Sequence, residues 1–463
     1  MNEKNSKLAA TYPSHHIPFY ARPHVSRRNF FNLAAGVTGG MLASTQLNAQ
    51  VVKAPAASLK NTAKNVVFIL LTGAPSHTDT FDLKFIDGTS PKTFNPTMIN
   101  GMNWNMGAFP KLGAAVSSKD LTVLRSVRSW NLQHTLGQMW VQIGRNPGAV
   151  LGDVAPNIGS MIAIEKIGER TKSQVFPGFL SLNNTQVIGA GFLPTSYEPF
   201  KTVPTATGLP NTTHADGATR LDQKFNLMSA LDSRLRVDSP YGDGPGDYAD
   251  FYSAARGLMY NPVVNKAFSY SPADNLRYGN TSFGASLLTA KQVLEANQGT
   301  RFIQVTLGGW DMHTNIYGPA GTNIFTIGKQ LDDGLSEFIK DLKANGQFDQ
   351  TLIVAMGEFG RTVGAITAAG GRDHFLQQFA LVAGGGTKGG RAIGTTDARG
   401  GATDDPGWSE QRDIRPEDIE ATIYSAVGVN YLSIRYDDPF KRGFEYVPGA
   451  NDGVYKPINE LWS

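Results

Sequence analysis

Short apolar segments spaced along the chain have the pattern of buried β-strands. In each segment, apolar residues fall on both faces of an extended backbone, as they do in strands that are covered on both sides of a parallel sheet. The predicted strands are residues 65–71, 121–127, 302–307, 352–356 and 379–383.

Apolar residues at helical spacing lie between these strands. Residues 282–296 and 327–343 each place their apolar side chains on one side of a helix, and the second pattern stops at Asn345-Gly346. Strands that alternate with helices of this length predict βαβ units and a mostly parallel sheet covered on both faces, which is an α/β fold.

The rest of the chain suggests how this fold is organised. Its length allows one large domain or two smaller ones. Residues from about 189 to 272 are rich in Thr, Asn, Asp, Gly and Pro, so we predict an insertion there with a short helix near 250–259. Residues 50–63 have the composition of a linker.

The first 49 residues have the three parts of a secretory signal. Ser26-Arg27-Arg28-Asn29 carries paired arginines, a glycine-diluted apolar core follows, and small residues lead to a cleavage site at Leu47-Asn48-Ala49. The core is too short for a stable membrane span, which needs about 20 strongly apolar residues. We therefore expect a twin-arginine signal, export from a bacterial cytoplasm by the twin-arginine translocase, and a periplasmic or secreted protein.

Charge and cysteine content exclude several function classes. The formal net charge of +3 comes from the signal, whose five basic and one acidic side chains leave the remaining chain near −1. Nucleic acid is therefore not an expected partner. The chain has no cysteine, which excludes disulfides, thiolate metal ligands, a cysteine nucleophile and a lipoprotein anchor.

Polar side chains gather where the predicted strands end, which is where open α/β sheets bind ligands. Asp311 and His313 follow the third predicted strand, Glu358 follows the fourth, and Asp373 and His374 come shortly afterwards. Carboxylates and imidazoles are ligands for divalent metals such as Mn, Zn, Ca or Mg. These five residues are the predicted metal ligands.

Structural roles remain open for each of them. Asp311 could cap a turn, Glu358 could pair with nearby Arg361, and Asp373-His374 could anchor a loop. The glycine-rich run 384–390 lacks the Gly-Lys-Ser/Thr ending of a P-loop and predicts a tight loop. Ser76 lacks the Gly-x-Ser-x-Gly context of a serine hydrolase.

A set of motifs runs in order along the chain after the signal. They are Gly73-Ala74-Pro75-Ser76, 79–84, Tyr278-Gly279, 308–313, 357–362, 371–374 and 418–423. As a set they resemble the secreted family called domain of unknown function 1501, which is grouped with the alkaline phosphatase and sulfatase-like superfamily. The resemblance implies an alkaline-phosphatase-like sandwich, with a mixed, mainly parallel β-sheet flanked by helices. It also implies a single domain over residues 64–463.

A segment that ends in Gly144-Arg145 resembles the one that follows the nucleophile in sulfatases. Counting back places His134 at the position of the nucleophile and Thr135 one residue on. The resemblance implies that Thr135 or a metal-bound water attacks the ester, and that His134 or His374 protonates the leaving oxygen or orients the nucleophile. Arg361 or Arg145 would neutralise the anionic substrate.

Two functions are consistent with these features. The first is a metal-dependent hydrolase of phosphate or sulfate esters, acting on a small molecule or a glycan. The alternative is a catalytically degenerate superfamily member that acts as a periplasmic or cell-surface binding protein. Thr72-Gly73 and Phe359 favour the alternative, because superfamily enzymes usually place a metal-binding aspartate and a histidine there. These differences also imply one metal site rather than two.

Overall fold

The computed structural model of the chain describes residues 52–53, 55–184, 187–234, 244–319 and 321–463. The predicted signal over residues 1–49 lies outside the described residues. Within the described part, no helix combines the length and the apolar character that a membrane crossing requires.

Eight strands form the central sheet. In chain order they are β1 (Asn65–Leu70), β2 (Leu121–Arg128), β3 (Phe179–Leu182), β4 (Phe200–Thr202), β5 (Phe302–Thr306), β6 (Thr351–Met356), β7 (Gln377–Gly384) and β8 (Arg391–Ile393). Across the sheet their order is β8-β2-β7-β6-β1-β5-β3-β4.

The sheet is mixed and mainly parallel. β1 pairs in parallel with β5 and β6, so that Phe68 lies opposite Gln304 on one side and Val354 on the other. Only β7 runs the other way, antiparallel to both β6 and β2. The predicted α/β architecture is confirmed, and all five predicted strands are in this sheet. The strands β3, β4 and β8 have three or four residues, too few to show a period in the sequence.

The described residues form ten helices. They are α1 (Pro110–Ser117), α2 (His134–Ile143), α3 (Ile158–Glu165), α4 (Gly217–Leu231), α5 (Gly244–Leu258), α6 (Pro262–Phe268), α7 (Pro272–Arg277), α8 (Ser282–Ala296), α9 (Ile324–Ala344) and α10 (Pro416–Ala426).

Both faces of the sheet are buried under helices. On one face Val67 and Ile69 pack into a core that includes residues of α1, α8 and α9. On the other face Val66 and Phe68 belong to a second core with residues of α2, α3 and α10. Successive residues of a strand point to opposite faces, so a strand covered on both sides must be apolar throughout, as β1 is.

Local sequence signals set the ends of the two helices that the pattern predicts. The Thr281 side chain accepts a hydrogen bond from the Gly284 amide at the start of α8, and Asn297 ends that helix in a left-handed conformation (φ 48°). A capping box between Asn323 and Thr326 starts α9. Such caps satisfy backbone groups that the helix itself leaves unpaired.

The segment predicted as an insertion contains β4, α4, α5 and α6, and its strand β4 forms one edge of the central sheet. Near the N-terminal side of the domain, Val52–Lys53 of the predicted linker pairs with Ile434–Arg435 in antiparallel fashion. The division into linker, single domain and insertion stays a prediction.

Candidate metal centre

Strand direction brings the predicted site residues to one edge of the sheet. Asp311 and His313 lie in the loop that follows β5, and His134 is the first residue of α2, which follows β2. Since β7 runs opposite to its neighbours, the residues that precede it reach this same edge. His374 is among them, three residues before β7 begins.

Four side chains converge at this edge. One potential ligand atom from each lies within 4.8 Å of all the others, and we name the four residues the metal group after these donor atoms: His134, Asp311, His313 and His374. Asp311 Oδ1 is 3.3 Å from His134 Nε2 and 3.1 Å from His313 Nε2. His313 Nε2 is also 3.1 Å from His374 Nε2. Two ligands on one metal at about 2.0–2.2 Å are separated by roughly 3.3–3.5 Å in a tetrahedral site, so these spacings are of the right size.

The Nδ1 atom of each of the three histidines faces a hydrogen-bond acceptor. His134 Nδ1 lies 2.6 Å from Glu358 Oε1, and His313 Nδ1 lies 2.9 Å from Asp373 Oδ1. His374 Nδ1 lies 2.6 Å from the carbonyl oxygen of Leu132. If each Nδ1 donates its proton there, each Nε2 presents a lone pair to the centre of the group. Histidine ligands of metals are held in this way.

The group fits a divalent metal in its donor chemistry. His134 Nε2 is buried and has no hydrogen-bond partner among the described residues, although Asp311 is close to it. A lone pair buried without a donor is costly, and a bound cation satisfies it. Three imidazoles and one carboxylate suit Zn, Mn or Fe better than Ca, which prefers oxygen ligands.

Arg361 borders this group and is almost completely buried. Its Nη2 donates to Asp311 Oδ1 at 2.5 Å, and its Nη1 lies 3.2 Å from His313 Nε2. Its Nε donates to the carbonyl oxygen of Ala74 at 2.9 Å. Burial acts to raise the pKa of Asp311, but the hydrogen bond and charge of Arg361 outweigh it and hold that pKa below its ordinary value.

Two histidines of the group have opposite pKa shifts. The hydrogen bond with Glu358 raises the pKa of His134, whereas burial lowers the pKa of His374. The carboxylate of Glu358 also accepts hydrogen bonds from the Gly73 amide (2.9 Å) and from Gln138 Nε2 (3.1 Å). Glu358 therefore connects α2 to the ends of β1 and β6.

Three of the five predicted metal ligands belong to the group of four, and the other two contact its histidines. Asp311, His313 and His374 lie in the group of four, while Glu358 and Asp373 contact it through the Nδ1 atoms of His134 and His313. His134, expected from the resemblance to act in catalysis, completes the group.

The remaining predicted residues lie along α2. Thr135 is exposed at the first turn of this helix. Arg145 lies just beyond the C-terminal end of α2, over the ring of Phe444. The length of the helix therefore separates Arg145 from the group of four. Gln138, one turn into α2, was not predicted, and only its helical spacing from His134 could have suggested it.

Glycines let the loops of the site approach one another. A Cβ on Gly73, which has φ +103°, would overlap the backbone nitrogen of Asp311. A Cβ on Gly371 would overlap the carbonyl group of His313. The backbone around Gly73 therefore leaves no room for a side chain at this position.

A buried ion pair anchors the loop that carries Asp373 and His374. Arg372 Nε donates to Asp79 Oδ2 at 2.6 Å, and both side chains are buried. Tyr317 Oη donates to Asp79 Oδ1 at 2.7 Å, and Ser76 Oγ donates to Asp79 Oδ2 at 2.6 Å. Asp79 thus holds residues next to the metal group without belonging to it.

A protein-family model described as "Protein of unknown function (DUF1501)" matches residues 63–441. The chain belongs to this family. The resemblance seen in the sequence motifs is thereby confirmed, and no curated protein matches the chain.

Solved structures similar to the chain include a variant of the alkaline phosphatase PafA, with 11% identity, a TM-score of 0.40, and coverage of 88% of this chain and 100% of that one. The sulfatase PsFucS1 from Pseudoalteromonas sp. has 14% identity, a TM-score of 0.37, and coverage of 88% and 73%. A phosphonate monoester hydrolase from Silicibacter pomeroyi has 14% identity, a TM-score of 0.36, and coverage of 86% and 77%. Likeness at this distance does not carry an activity over to this chain.

Proposed function

We propose that this protein is a metal-dependent hydrolase of phosphate or sulfate esters. The observation that carries the proposal is the arrangement of three histidines with Asp311. Two of their Nε2 atoms lie 3.1–3.3 Å from Asp311 Oδ1, the third lies 3.1 Å from His313 Nε2, and all three Nδ1 atoms face acceptors. A structural cluster has no need for three imidazoles to turn their lone pairs towards one another, whereas a metal site requires it.

Residues around the group suit an anionic substrate. A bound divalent metal supplies Lewis-acid polarisation of the ester oxygens. Arg361 adds a fixed positive charge beside Asp311, and the first turn of α2 presents backbone amides together with the exposed Thr135. Helix N-termini favour phosphate-like anions. In this proposal the amides of α2 orient the ester, and the Thr135 hydroxyl or a water attacks it. Arg361 acts on the ester through its charge alone, because its N–H groups already donate within the protein.

The direct test combines metal analysis with a panel of phosphate and sulfate esters. We expect the purified chain to bind about one divalent metal, and Asp311→Asn and His313→Ala to lose it. Hydrolysis of the preferred ester should fall at least about 100-fold in these variants, because charge stabilisation by a catalytic group contributes on this scale. His214→Ala is the matched control, since His214 lies outside the metal group. Absence of metal, or full activity in both variants, would overturn the proposal.

A second candidate function rests on Arg361. Its guanidinium already contacts Asp311 and His313 Nε2, two of the four candidate ligands, so that a cation of the protein itself can take the place of a metal. The group would then be a binding site for an anion in a catalytically degenerate member of the superfamily. Arg361→Gln distinguishes the two functions. If the protein is the hydrolase, this variant should retain or strengthen metal binding. If it is the binding protein, the variant should no longer bind an anion in the absence of metal.

We also propose that the protein is exported through the twin-arginine pathway to the periplasm or beyond, which rests on the sequence of residues 26–49. Residues 1–52 fused to a fluorescent protein should direct it out of the bacterial cytoplasm. Replacement of Arg27 and Arg28 by lysine should keep the fusion inside, whereas Arg22→Lys should not. Export of the double variant at the normal rate would contradict the proposal.

A further inference from the structure

A cavity of about 590 Å³ lies at the opposite edge of the sheet from the metal group. Its lining includes Phe179, the first residue of β3, and Arg301, which immediately precedes β5. Asp311 and His313 follow the other end of β5. The five residues of this strand separate the two places by roughly 16 Å at about 3.3 Å per residue, so the cavity is not part of the candidate metal centre.

The cavity walls are largely apolar. Phe176, Phe179 and Leu258 are buried and form one part of the lining. Phe251 of α5 forms another part of the lining and is 52% exposed. Cavities that bind small molecules have volumes of about 300–1,000 Å³ and are lined mainly by apolar and aromatic side chains.

Positive charge gathers along the same lining. It includes four cationic side chains, namely Lys166, Arg170, Lys201 and Arg301. Glu198 is the one carboxylate in the lining, and its side chain turns to the backbone amide of Ala190. Glu169 lies close by and contacts both Lys166 Nζ (2.8 Å) and Arg301 Nε (3.8 Å). The cations therefore outnumber the carboxylates around the cavity.

Arg301 is the feature that points to a ligand. Its side chain is 5% exposed, and its buried Nε atom has no hydrogen-bond partner among the described residues. Burial lowers the pKa of Arg170, and the charge of Arg301 lowers it further, which shows that the two guanidinium groups oppose each other. An anion between them satisfies the Nε donor and removes the repulsion.

From this combination we propose that the cavity binds a long-chain carboxylate, with its hydrocarbon chain against Phe176, Phe179 and Leu258 and its headgroup at Arg301 and Arg170. The apolar walls offer few polar partners for a sugar or a nucleotide, while the cationic end suits one carboxylate. Guanidinium groups bind carboxylates through paired, charge-assisted hydrogen bonds.

The test is calorimetric titration of the full chain with octanoate, dodecanoate and uncharged dodecanol, below their aggregation concentrations. We expect dodecanoate to bind, and affinity to rise by up to about fourfold for each added CH₂ group. Dodecanol should bind at least about tenfold more weakly, because a charge-assisted hydrogen bond contributes on this scale.

Two pairs of variants locate the site. Arg301→Gln should weaken dodecanoate binding at least about tenfold, and Arg220→Gln on α4 should not. Ala255 of α5 lines the cavity, so Ala255→Trp should fill it and abolish binding. Ser253→Trp, on the same helix but outside the lining, should leave binding unchanged. Thermal unfolding of each variant establishes that it is folded.

Asp311→Asn separates this proposal from the proposed hydrolase function, since it should change the metal group without changing dodecanoate binding. The proposal is overturned if dodecanoate does not bind, if dodecanol binds equally well, or if Ala255→Trp retains full affinity. Binding that Asp311→Asn abolishes would place the carboxylate at the metal group instead.

Discussion

At the scale of single residues, the metal group depends on the partners of its histidines. Glu358 is the most connected of these, since its Oε1 atom lies within hydrogen-bond distance of His134 Nδ1, the Gly73 amide and Gln138 Nε2. Its negative charge favours a proton on Nδ1 and thus a lone pair on Nε2. A partner of this kind sets the tautomer and the basicity of a metal ligand.

Glu358→Gln tests this role, because it keeps the shape of the side chain and removes its charge. We expect the affinity for the metal to fall by about 10- to 100-fold, measured by competition with a chelator. Glu295→Gln, a change at an exposed glutamate of α8, is the matched control and should have no effect. Unchanged affinity in Glu358→Gln would mean that His134 is not a ligand.

At the scale of elements, the site exists because loops from β1, β5 and β6 pass very close to one another. The Gly73 position shows how little space is left, since its φ of +103° and the nearby backbone of Asp311 both exclude a side chain. An isolated bridge between Thr314 and Gly370 connects the loops that carry His313 and His374. The geometry of the site is therefore set by backbone packing between loops.

Gly73→Ala should lower the free energy of unfolding by at least about 3 kcal/mol, because backbone strain and overpacking each cost about 1–3 kcal/mol. Gly88→Ala is a suitable control, since Gly88 also has a positive φ (+78°) but nothing within 4 Å of the added Cβ. It should cost only about 1–2 kcal/mol. Both values come from urea unfolding, and equal losses in the two variants would show that the loops can separate without cost.

At the scale of the whole molecule, the sheet separates two cores, and one of them encloses titratable groups. Glu420 of α10 is buried beside Arg145, which follows α2. Burial raises the pKa of Glu420 from its ordinary value of 4.5 to about 8, against the opposing charge of Arg145. Between pH 4.5 and 8 the chain therefore takes up a proton when it folds. This uptake links the stability of the molecule to pH.

The sign follows from which state holds the proton. Between pH 4.5 and 8 the folded chain keeps the Glu420 proton and the unfolded chain releases it, so stability falls as the pH rises and levels off above pH 8. The expected slope is up to about 1.4 kcal/mol per pH unit. The free energy of unfolding, measured with urea between pH 5 and 8, should show this slope in the unsubstituted protein and a smaller slope in Glu420→Gln. Glu295→Gln should keep the original slope, and a slope unaffected by Glu420→Gln would contradict the assignment.

The class of fold, the main strands and the family could all be predicted from the amino-acid sequence. Apolar segments such as 65–71 carry this information locally, because a strand buried on both faces must be apolar throughout. It also pointed to Asp311, His313 and His374, since polar residues that follow parallel strands reach one edge of the sheet. What the tertiary structure decided is which of these side chains face one another.

Only the fold placed the Nε2 atom of His134 beside Asp311, with Glu358 and Asp373 at the Nδ1 atoms of His134 and His313. That assignment depends on distances of a few ångströms between loops far apart in the chain, and no periodicity in the sequence encodes them. The cavity at Arg301 was invisible for the same reason: its lining comes from residues 163–301, which only packing brings together. Local patterns specify elements, whereas the contacts between elements create the sites.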